Sequence, residues 1–397
     1  MMTLVESLGA SFPFDEAAVR ALSSAAGEGP ERLGRRLAAL AGFDPGALQD
    51  SRYTRLALDW ASLPLAAARF EEASISAGGV GPKTRHTRSL SAHLAAHPGA
   101  ASALRGGASP WDPLALAAWR EGAALVREPG ETGSEVAYLA FGDPGGLVPE
   151  PVLFDVGEGA EASVFLHWRG GAGPSLHLST LCGTVGAGAR LKVFLLHEGA
   201  SAHHVVSLNL VLRQDAQVEY FGAWMGGRWT VVRQRVELSE PGAAWRETQI
   251  AAGDGKEHFD WDTRVRHAAH HTASDVDAKA VLGGHARAVL TGNIRMERAS
   301  TGGDARLASH VLMLSPGARA DSVPGLEIKA LDVKASHAAS VGQVDEEQMV
   351  YLMSRGLDEA QARHAVVVGF LASLFGRAPL PFAAALLDPL LEAKIRA

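Results

Sequence analysis

The sequence is poor in cysteine, since Cys182 is the only one among 397 residues. A single thiol excludes an intramolecular disulfide and a cysteine-ligated metal cluster formed by this chain alone. Basic residues are also few: 37 Lys and Arg stand against 44 Asp and Glu, which gives a net charge of −7. A nucleic-acid-binding protein with a basic face is therefore not expected.

Long apolar runs are missing too. No stretch of eighteen apolar residues occurs, and the amino terminus carries neither a basic region nor an apolar segment of the signal-peptide kind. We therefore expect a soluble cytoplasmic protein that makes no membrane contact. A glycine-rich phosphate loop with its lysine is absent, as is the nucleophile elbow of a serine hydrolase. Any ATP chemistry is expected to come from a partner.

The middle of the chain differs in composition from its two ends. Residues 1–121 carry helix signals, with helices predicted to begin near Pro13 and Pro30, although the segment 72–110 is predicted as loop or disorder. From Gly122 to Gln343 glycine becomes frequent and the apolar runs shorten to strand length. No helix of crossover length separates these runs, which argues against βαβ units. We predict a helical region at 1–121, a β core at 122–343 and a helical domain at 344–397.

A turn residue followed by alanine recurs ahead of the predicted strands. A strand-and-turn unit at such a period is what a solenoid requires, because one coil cannot bury its apolar face alone. A β-sandwich with ordinary Gly-Ala hairpins fits the same pattern, so the repeat leaves both folds open. The recurring alanines are Ala160, Ala189, Ala216, Ala243, Ala286 and Ala318.

The tail has the clearest helix signals in the chain. Asp345 and Asp358 are good N-caps, and Gly356 is placed to end the first helix. A third helix is predicted from about Pro381. Such a helical tail would close the end of a solenoid or dock a partner.

The stretch Val323–His337 links the β core to this tail. Pro324 and Gly325 predict a turn. The residues after them alternate up to Val333, but charged and apolar side chains fall on both faces. This pattern is typical of a terminal, partly exposed strand that can pair with another chain.

The same stretch carries a family resemblance. The string Pro-Gly-Leu-Glu-Ile, Asp-Val-Lys, His337, Gly-Gln and Tyr-Leu-x-Ser-Arg-Gly, spread over Pro324 to Gly356, resembles the C-terminal signature of the SufB/SufD family. Members of that family are scaffold subunits of the Suf machinery for iron–sulfur cluster assembly. The similarity extends from about His258 to about Phe370.

The resemblance implies a fold, partners and site residues. The implied fold is a right-handed parallel β-helix between helical ends. The implied role is a non-catalytic, SufD-like scaffold that pairs with a SufB-like paralogue or with itself. No intrinsic cofactor is implied, but a transient iron–sulfur cluster can form at the subunit interface. His337 would supply one metal ligand or a proton group there, next to interface residues Lys334 and Glu327. The implied contacts of a SufC-like ATPase are Met349, Tyr351, Leu352, Arg355, Gly356, Ala362 and Val366.

One position departs from the family pattern. Many relatives have cysteine where this chain has Ala335, so no thiolate can hold a cluster there. This departure favours the SufD-like role over the SufB-like one.

Other functions compete with this interpretation. A β-helix carbohydrate-active enzyme would need clustered carboxylates such as Asp254, Glu257, Asp260 and Asp262. A His-rich metal-binding β protein would use His203, His204 and His267. The spacing of His267, His270 and His271 would suit one helix face, but we expect strand and turn there, so that geometry does not form. Cys182, in an apolar strand, is expected to be a buried hydrophobic residue.

Overall fold

The computed structural model describes residues 14–44, 63–76, 79–81, 86–170, 174–199 and 203–396. Within these residues the chain is mainly β, with helices towards both ends. Beyond the first three strands, successive strands alternate between two sheets, so each strand pairs with the strand two places further along the chain. This is the path of a parallel β-solenoid, here of about seven turns. The solenoid prediction is confirmed, and the sandwich with Gly-Ala hairpins is wrong because the core strands pair in parallel.

Sheet A has nine strands among the described residues, and only its first pair is antiparallel. Its strands, from one edge to the other, are β3 (Thr87–Ser89), β4 (Ala123–Arg127), β6 (Gly146–Val156), β8 (Ser175–Val185), β10 (His203–Leu212), β12 (Trp229–Leu238), β14 (His258–His267), β16 (Arg287–Met296) and β18 (Arg319–Ile328).

Sheet B has ten strands among the described residues, and its first two pairs are antiparallel. Its strands, from one edge to the other, are β2 (Gly79–Gly81), β1 (Arg69–Ser76), β5 (Val136–Gly142), β7 (Glu161–Arg169), β9 (Arg190–Glu198), β11 (Gln217–Trp224), β13 (Ala244–Gly253), β15 (Ala273–Leu282), β17 (Asp304–Met313) and β19 (Lys334–Gln343).

The core lies between the two sheets. Alternate residues of every strand point inward, and the same column position is apolar in successive coils, as in Val164 and Val193 of sheet B or Leu181 and Leu208 of sheet A. Stacking at the spacing of parallel strands lets each coil bury the apolar face of the one before it. The single coil is therefore unstable alone, and stability comes from the array.

The alanine repeat marks the corners of the coils. Ala160, Ala189, Ala216 and Ala243 are fully buried and precede strands of sheet B. Ala286 and Ala318 precede strands of sheet A, so the long step after Ala243 is a change of corner. The residue before each of the first four alanines turns the chain with a positive φ, which is 64° at Gly159 and 53° at Asp215. The repeat therefore identified the solenoid coil correctly as the repeating unit. It combined, however, alanines from two different corners of the coil.

The described helices flank the solenoid. Asp15 caps the first of them; Pro13, where we predicted the start, lies outside the described residues. Arg36, which is buried, pairs with Glu28 and donates to the carbonyl oxygens of Ala117 and Trp119, so it ties two helices together. The helices are α1 (Glu16–Ala25), α2 (Pro30–Ala41), α3 (Leu90–Ala96), α4 (Asp112–Ala118), α5 (Glu346–Ser354), α6 (Glu359–Phe375) and α7 (Ala383–Arg396), with a 3-10 turn at Pro98–Ser102.

Two predictions about the amino-terminal part need correction. The region 1–121 is not purely helical, since β1, β2 and β3 lie in it, and the segment 72–110 holds strands and α3 rather than loop. β1 pairs with β5 and β3 with β4, so the core sheets begin upstream of residue 122. The three-part division of the chain stays a prediction.

The tail helices form where they were predicted, but they lie along the side of the solenoid. Asp345 accepts from the Glu347 amide, and Asp358 forms a capping box with Gln361. α6 and α7 then pack their apolar faces on the outer face of sheet B, against Phe194, Phe221 and Ile250 among others. The buried residues of α6 are Ala362, Val367, Leu371 and Leu374.

Polar contacts fasten the tail to the same sheet. Lys279 Nζ donates to the Phe370 carbonyl oxygen at 2.6 Å, and Arg377 pairs with Asp275 at 3.0 Å. Arg363 donates to the Leu314 carbonyl oxygen. The tail therefore covers an apolar flank and does not close the solenoid end.

The stretch Val323–His337 does not form the strand that was predicted to follow Gly325 and run up to Val333, since β18 ends at Ile328 and a turn precedes β19. Pro324 and Gly325 form no turn but lie inside β18, in register with Gly292 and Asn293 of β16. Proline is tolerated because β18 is the edge of sheet A, where its missing N–H leaves no ladder partner unsatisfied. The turn comes later, at Asp332 with φ 55°, and His337 belongs to β19.

Membrane-spanning helices are not found in the described part of the chain, where no helix is both long and apolar enough.

Candidate functional site

The last coil of the solenoid is the most exposed part of the β structure. Among the described residues, β18 pairs only with β16 and β19 only with β17, so each sheet ends in a strand with one open side. Apolar side chains remain in water there: Val323 is 45% exposed, Val341 is 43% exposed and Leu331 is 86% exposed. The prediction of an exposed terminal strand is confirmed, and it applies to two strands.

His337 lies in the middle of β19 and is exposed. It pairs in register with Leu307, and two residues earlier Ala335 pairs with Ala305. Leu307 and Ala305 belong to the buried core. His337 therefore continues a core column into the coil where that column meets solvent.

The interior next to His337 is partly polar. Ser309 of β17 and Ser322 of β18 place their Oγ atoms 2.6 Å apart, which joins the two sheets across the interior. A small cavity lies one coil further in, and its lining includes Ser309, Thr263 and Glu247. Buried hydroxyl and carboxyl groups therefore lie in the interior of the coils that precede the exposed histidine.

Lys334 and Glu327 do not lie together with His337. Glu327 is on the outer face of sheet A, where its Oε1 accepts from Asn293 Nδ2 at 2.6 Å. Lys334 begins β19 and is exposed. The three residues share the terminal coil but do not form one pocket. Among the described residues, no group of three or more His, Cys, Asp or Glu side chains is arranged to hold a metal ion.

Helix α5 is a second exposed surface. It buries none of its residues, and Val350, Tyr351 and Met353 are exposed, with Val350 at 67%. Arg355 places its guanidinium 5.2 Å from the centre of the Tyr351 ring. Sequence reasoning named Tyr351 but missed Val350 and Met353, because helical spacing alone does not show which face lacks a neighbour.

The other predicted ATPase contacts have mixed exposure. Gly356 is exposed, and Met349, Leu352 and Val366 are half-buried. Ala362 is fully buried under the other residues of the tail and sheet, and its role as a contact residue stays a prediction.

A buried polar cluster, which the sequence did not reveal, lies between the sheets near the other end. Glu150 accepts from Ser179 and from the Trp168 indole, each at 2.8 Å, and its other oxygen lies 3.0 Å from His177 Nδ1. On the other side of the ring, His177 Nε2 lies 3.4 Å from Asp143. Burial alone would lower the pKa of His177, but Glu150 and Asp143 outweigh it and raise that pKa to about 9.

Neighbouring histidines of this cluster are neutral. His204 Nε2 lies 2.7 Å from Ser179 Oγ. Burial lowers the pKa of His197 to about 3, and burial also lowers that of His204, with the charge on His177 acting in the same direction. The cluster therefore holds one cationic histidine between two carboxyl groups, which stabilises the interior rather than exposing a reactive group.

A second buried cluster surrounds Glu247. Its side chain accepts from Gln249, Thr263 and the Trp245 indole. Burial raises the pKa of Glu247 despite these hydrogen bonds.

The residues named for the competing functions form other contacts. Asp260 pairs with Arg233 and Asp262 with Arg235, while Glu257 pairs with Lys394, so these carboxylates form no free catalytic pair. His267 is buried between Thr272 and Ser274, in the strand-and-turn setting that we predicted.

Cys182 faces outward from sheet A but is buried by the helix α3 region. Burial raises the pKa of its thiol to about 12, as expected for a small hydrophobic residue rather than a nucleophile.

Fold and site together define a class: a parallel β-solenoid whose last coil is left open and whose tail presents an exposed amphipathic helix. Comparison with known families makes this specific. The family described as "SUF system FeS cluster assembly, SufBD core domain" matches residues 141–370, more than half of the chain. The chain belongs to this family, and the resemblance seen in the terminal stretch is confirmed over a longer span.

Curated relatives agree. An iron–sulfur cluster assembly SufBD family protein of Mycobacterium leprae is 31% identical over 60% of this chain and 62% of its own length. The iron–sulfur cluster assembly protein SufD of Escherichia coli is 30% identical over 55% of this chain and 52% of the relative. SufD of Bacillus subtilis is also 30% identical, over 46% of this chain and 42% of the relative. The chain thus matches about half of the length of these relatives.

Proposed function

We propose that the chain is a SufD-like scaffold subunit of iron–sulfur cluster assembly. It pairs through its last coil with a SufB-like paralogue or a second copy of itself, and it docks a SufC-like ATPase through its tail. The observation that carries this proposal is the open terminal coil, which ends both sheets with exposed strands and carries the exposed His337 on β19.

Pairing follows from the physics of strand edges. An edge strand offers unpaired N–H and C=O groups, and a second chain can satisfy them. Val323 and Val341 are exposed on the two edge strands. Burial of such side chains would add about 25 cal/mol for each Å² of apolar surface removed from water. A partner with a similar open end would complete the solenoid.

ATPase docking is assigned to α5. This helix leaves Val350, Tyr351 and Met353 in water, next to Arg355. A partly apolar helix face of this kind suits a groove on another protein. The chain itself supplies scaffold surfaces, and the energy of ATP hydrolysis comes from the partner.

The cluster is cargo in this scheme. No resident cofactor is proposed, and a transient iron–sulfur cluster would be assembled where the two chains meet. Ala335 supplies no sulfur ligand, so thiolates would come from the partner. His337 would then contribute an imidazole nitrogen or carry a proton.

The experiment separates the two surfaces. The chain is co-expressed with its SufB-like and SufC-like proteins, and complexes are measured by size-exclusion chromatography. Val341→Lys should abolish pairing with the paralogue or with a second copy but leave ATPase docking intact. Val350→Lys should abolish ATPase docking but leave pairing intact, and each variant is the control for the other.

Complete assembly with Val341→Lys would exclude strand β19 as the surface that pairs with the second chain. Loss of both contacts in either variant would show general damage, which circular dichroism would reveal, and the two-surface assignment would then fail.

A further inference from the structure

A groove rich in arginine crosses the outer face of sheet A, on the side opposite to the tail helices. Its volume is about 690 Å³, which lies within the range of pockets for small molecules. One wall is the segment after the 3-10 turn, and the floor is formed by β10, β12, β14 and β16. The arginines that line it are Arg105, Arg213, Arg235, Arg264, Arg266 and Arg295.

The floor places like charges side by side. Arg235 pairs in register with Arg264, and Arg266 pairs in register with Arg295. Neighbouring strands lie about 4.8 Å apart, so these side chains start close together. Like charges in directly adjacent positions repel each other and cost stability. An anion bound between them would attract both side chains and offset this loss of stability.

Carboxylates in and around the groove satisfy only part of this donor set. Glu237 accepts from Arg266 at 2.7 Å, and Glu240 pairs with Arg213 at 3.0 Å. Asp262 lies 3.3 Å from Arg235 and 3.1 Å from Arg264, and so it is shared by two guanidinium groups. Glu297 is shared in the same way by Arg266 and Arg295, at 3.2 Å and 2.9 Å. A guanidinium has five N–H donors, so shared carboxylates leave donors available.

The groove wall adds a further cation. Among the described residues Arg105 makes no ion pair, and its Nε donates to the Ser102 carbonyl oxygen. Its side chain is exposed at the groove. Burial lowers the pKa of Arg235, and the neighbouring Arg264 and Arg233 act in the same direction against the favourable effect of Asp262. Six arginines line the groove and five carboxylates pair with them, namely Glu237, Glu240, Asp262, Glu297 and Glu327, so one positive charge is in excess.

We propose that this groove binds the diphosphate group of a small anionic ligand. The two in-register arginine pairs offer two adjacent positions for phosphate oxygens, and Arg105 approaches from the wall. Planar guanidinium groups bind phosphate through paired hydrogen bonds, which makes arginine the preferred residue for this chemistry. Glu237 and Glu327 also line the groove, where they pair with Arg266 and Arg295. The groove volume of about 690 Å³ favours a small molecule over nucleic acid.

The test uses the full-length chain and isothermal titration calorimetry at low ionic strength. Three probes are titrated: inorganic pyrophosphate, ADP and adenosine. Pyrophosphate should bind with a stoichiometry of one, and adenosine should not bind. Tighter binding of ADP than of pyrophosphate would identify a nucleotide as the ligand source, whereas equal or weaker binding of ADP would identify the free diphosphate.

Variants locate the site. Arg105→Ala and Arg264→Gln should each weaken pyrophosphate binding by about tenfold or more, as expected for loss of a charge-assisted hydrogen bond. Arg105→Lys keeps the charge but loses the planar fork, and it should fall between Arg105→Ala and the unmodified chain. The matched control is Arg190→Gln, which removes an exposed arginine paired with Glu161 on sheet B and should leave binding unchanged.

Arg105 forms no ion pair, so its variants keep the test valid even where Arg264→Gln lowers stability. Absence of pyrophosphate binding at millimolar concentration would overturn the proposal. So would an equal loss in Arg105→Ala and Arg190→Gln, since that would indicate non-specific charge attraction.

Discussion

His337 pairs in register with Leu307, and the two residues occupy the same column in consecutive coils. Leu307 is 3% exposed, whereas His337 lies in water. The terminal coil thus has a titratable ring where the coil before it has a core leucine. An exposed histidine at this position adds little to the stability of the solenoid. This agrees with a role in contact with a second chain.

Replacement of His337 should separate folding from cluster assembly. For His337→Ala we expect a change of less than about 0.5 kcal/mol in unfolding free energy, because the side chain is exposed. Cluster formation in the reconstituted complex should fall. His285→Ala is the control, since His285 is exposed at a solenoid corner. Equal cluster yields from the two variants would assign His337 a structural role only.

The contact between tail and solenoid should carry much of the stability of the tail. Leu371→Ala removes a fully buried side chain from the cluster between α6 and sheet B. We expect a loss of about 2–5 kcal/mol, measured by urea denaturation. Leu386→Ala, at a position 38% exposed on α7, should cost far less. Similar costs for both variants would show that α6 does not pack firmly on the sheet.

Removal of the tail should do more than prevent ATPase docking. Truncation after Gln343 exposes Phe194, Phe221 and Ile250, which α6 and α7 cover. Large exposed apolar patches promote association. We therefore expect the truncated chain to aggregate. Light scattering of purified protein is the measurement, and a monodisperse truncated chain would contradict the observed packing.

The raised pKa of His177 predicts that the unfolding free energy falls at alkaline pH. Its folded-state pKa is about 9, above the ordinary value of 6.5. The folded state therefore holds the proton more tightly, so the contribution is complete below pH 6.5 and is lost as the pH rises through 9. The full loss is about 3 kcal/mol.

His177→Gln should flatten this part of the profile, measured as the urea midpoint between pH 6 and 10. The variant also leaves Glu150 and Asp143 without their cation, so it should be less stable at pH 6. Parallel profiles for variant and unmodified chain would exclude His177 as the group responsible.

Local patterns predicted the strands and the tail helices, but they left a solenoid and a β-sandwich open, and the family resemblance favoured the solenoid. Short apolar runs with turn residues between them predicted strands, and the alanine repeat pointed to stacked coils. The caps at Asp345 and Asp358 gave the tail helices nearly to the residue, because capping depends on side chains a few positions away. The same locality explains one error: Pro324 and Gly325 favour a turn in isolation, but pairing with β16 holds them in an edge strand.

The sequence by itself determined that the chain forms a β-solenoid with a helical tail, and that its last coil resembles one family. Only the tertiary structure decided which surfaces stay open, where the tail lies and which charged groups meet. Glu150 and His177, and likewise Arg235 and Arg264, are about one coil apart along the chain. They become neighbours only through the register of stacked strands. That register is set by many weak contacts along the whole sheet, and no short stretch of sequence contains it.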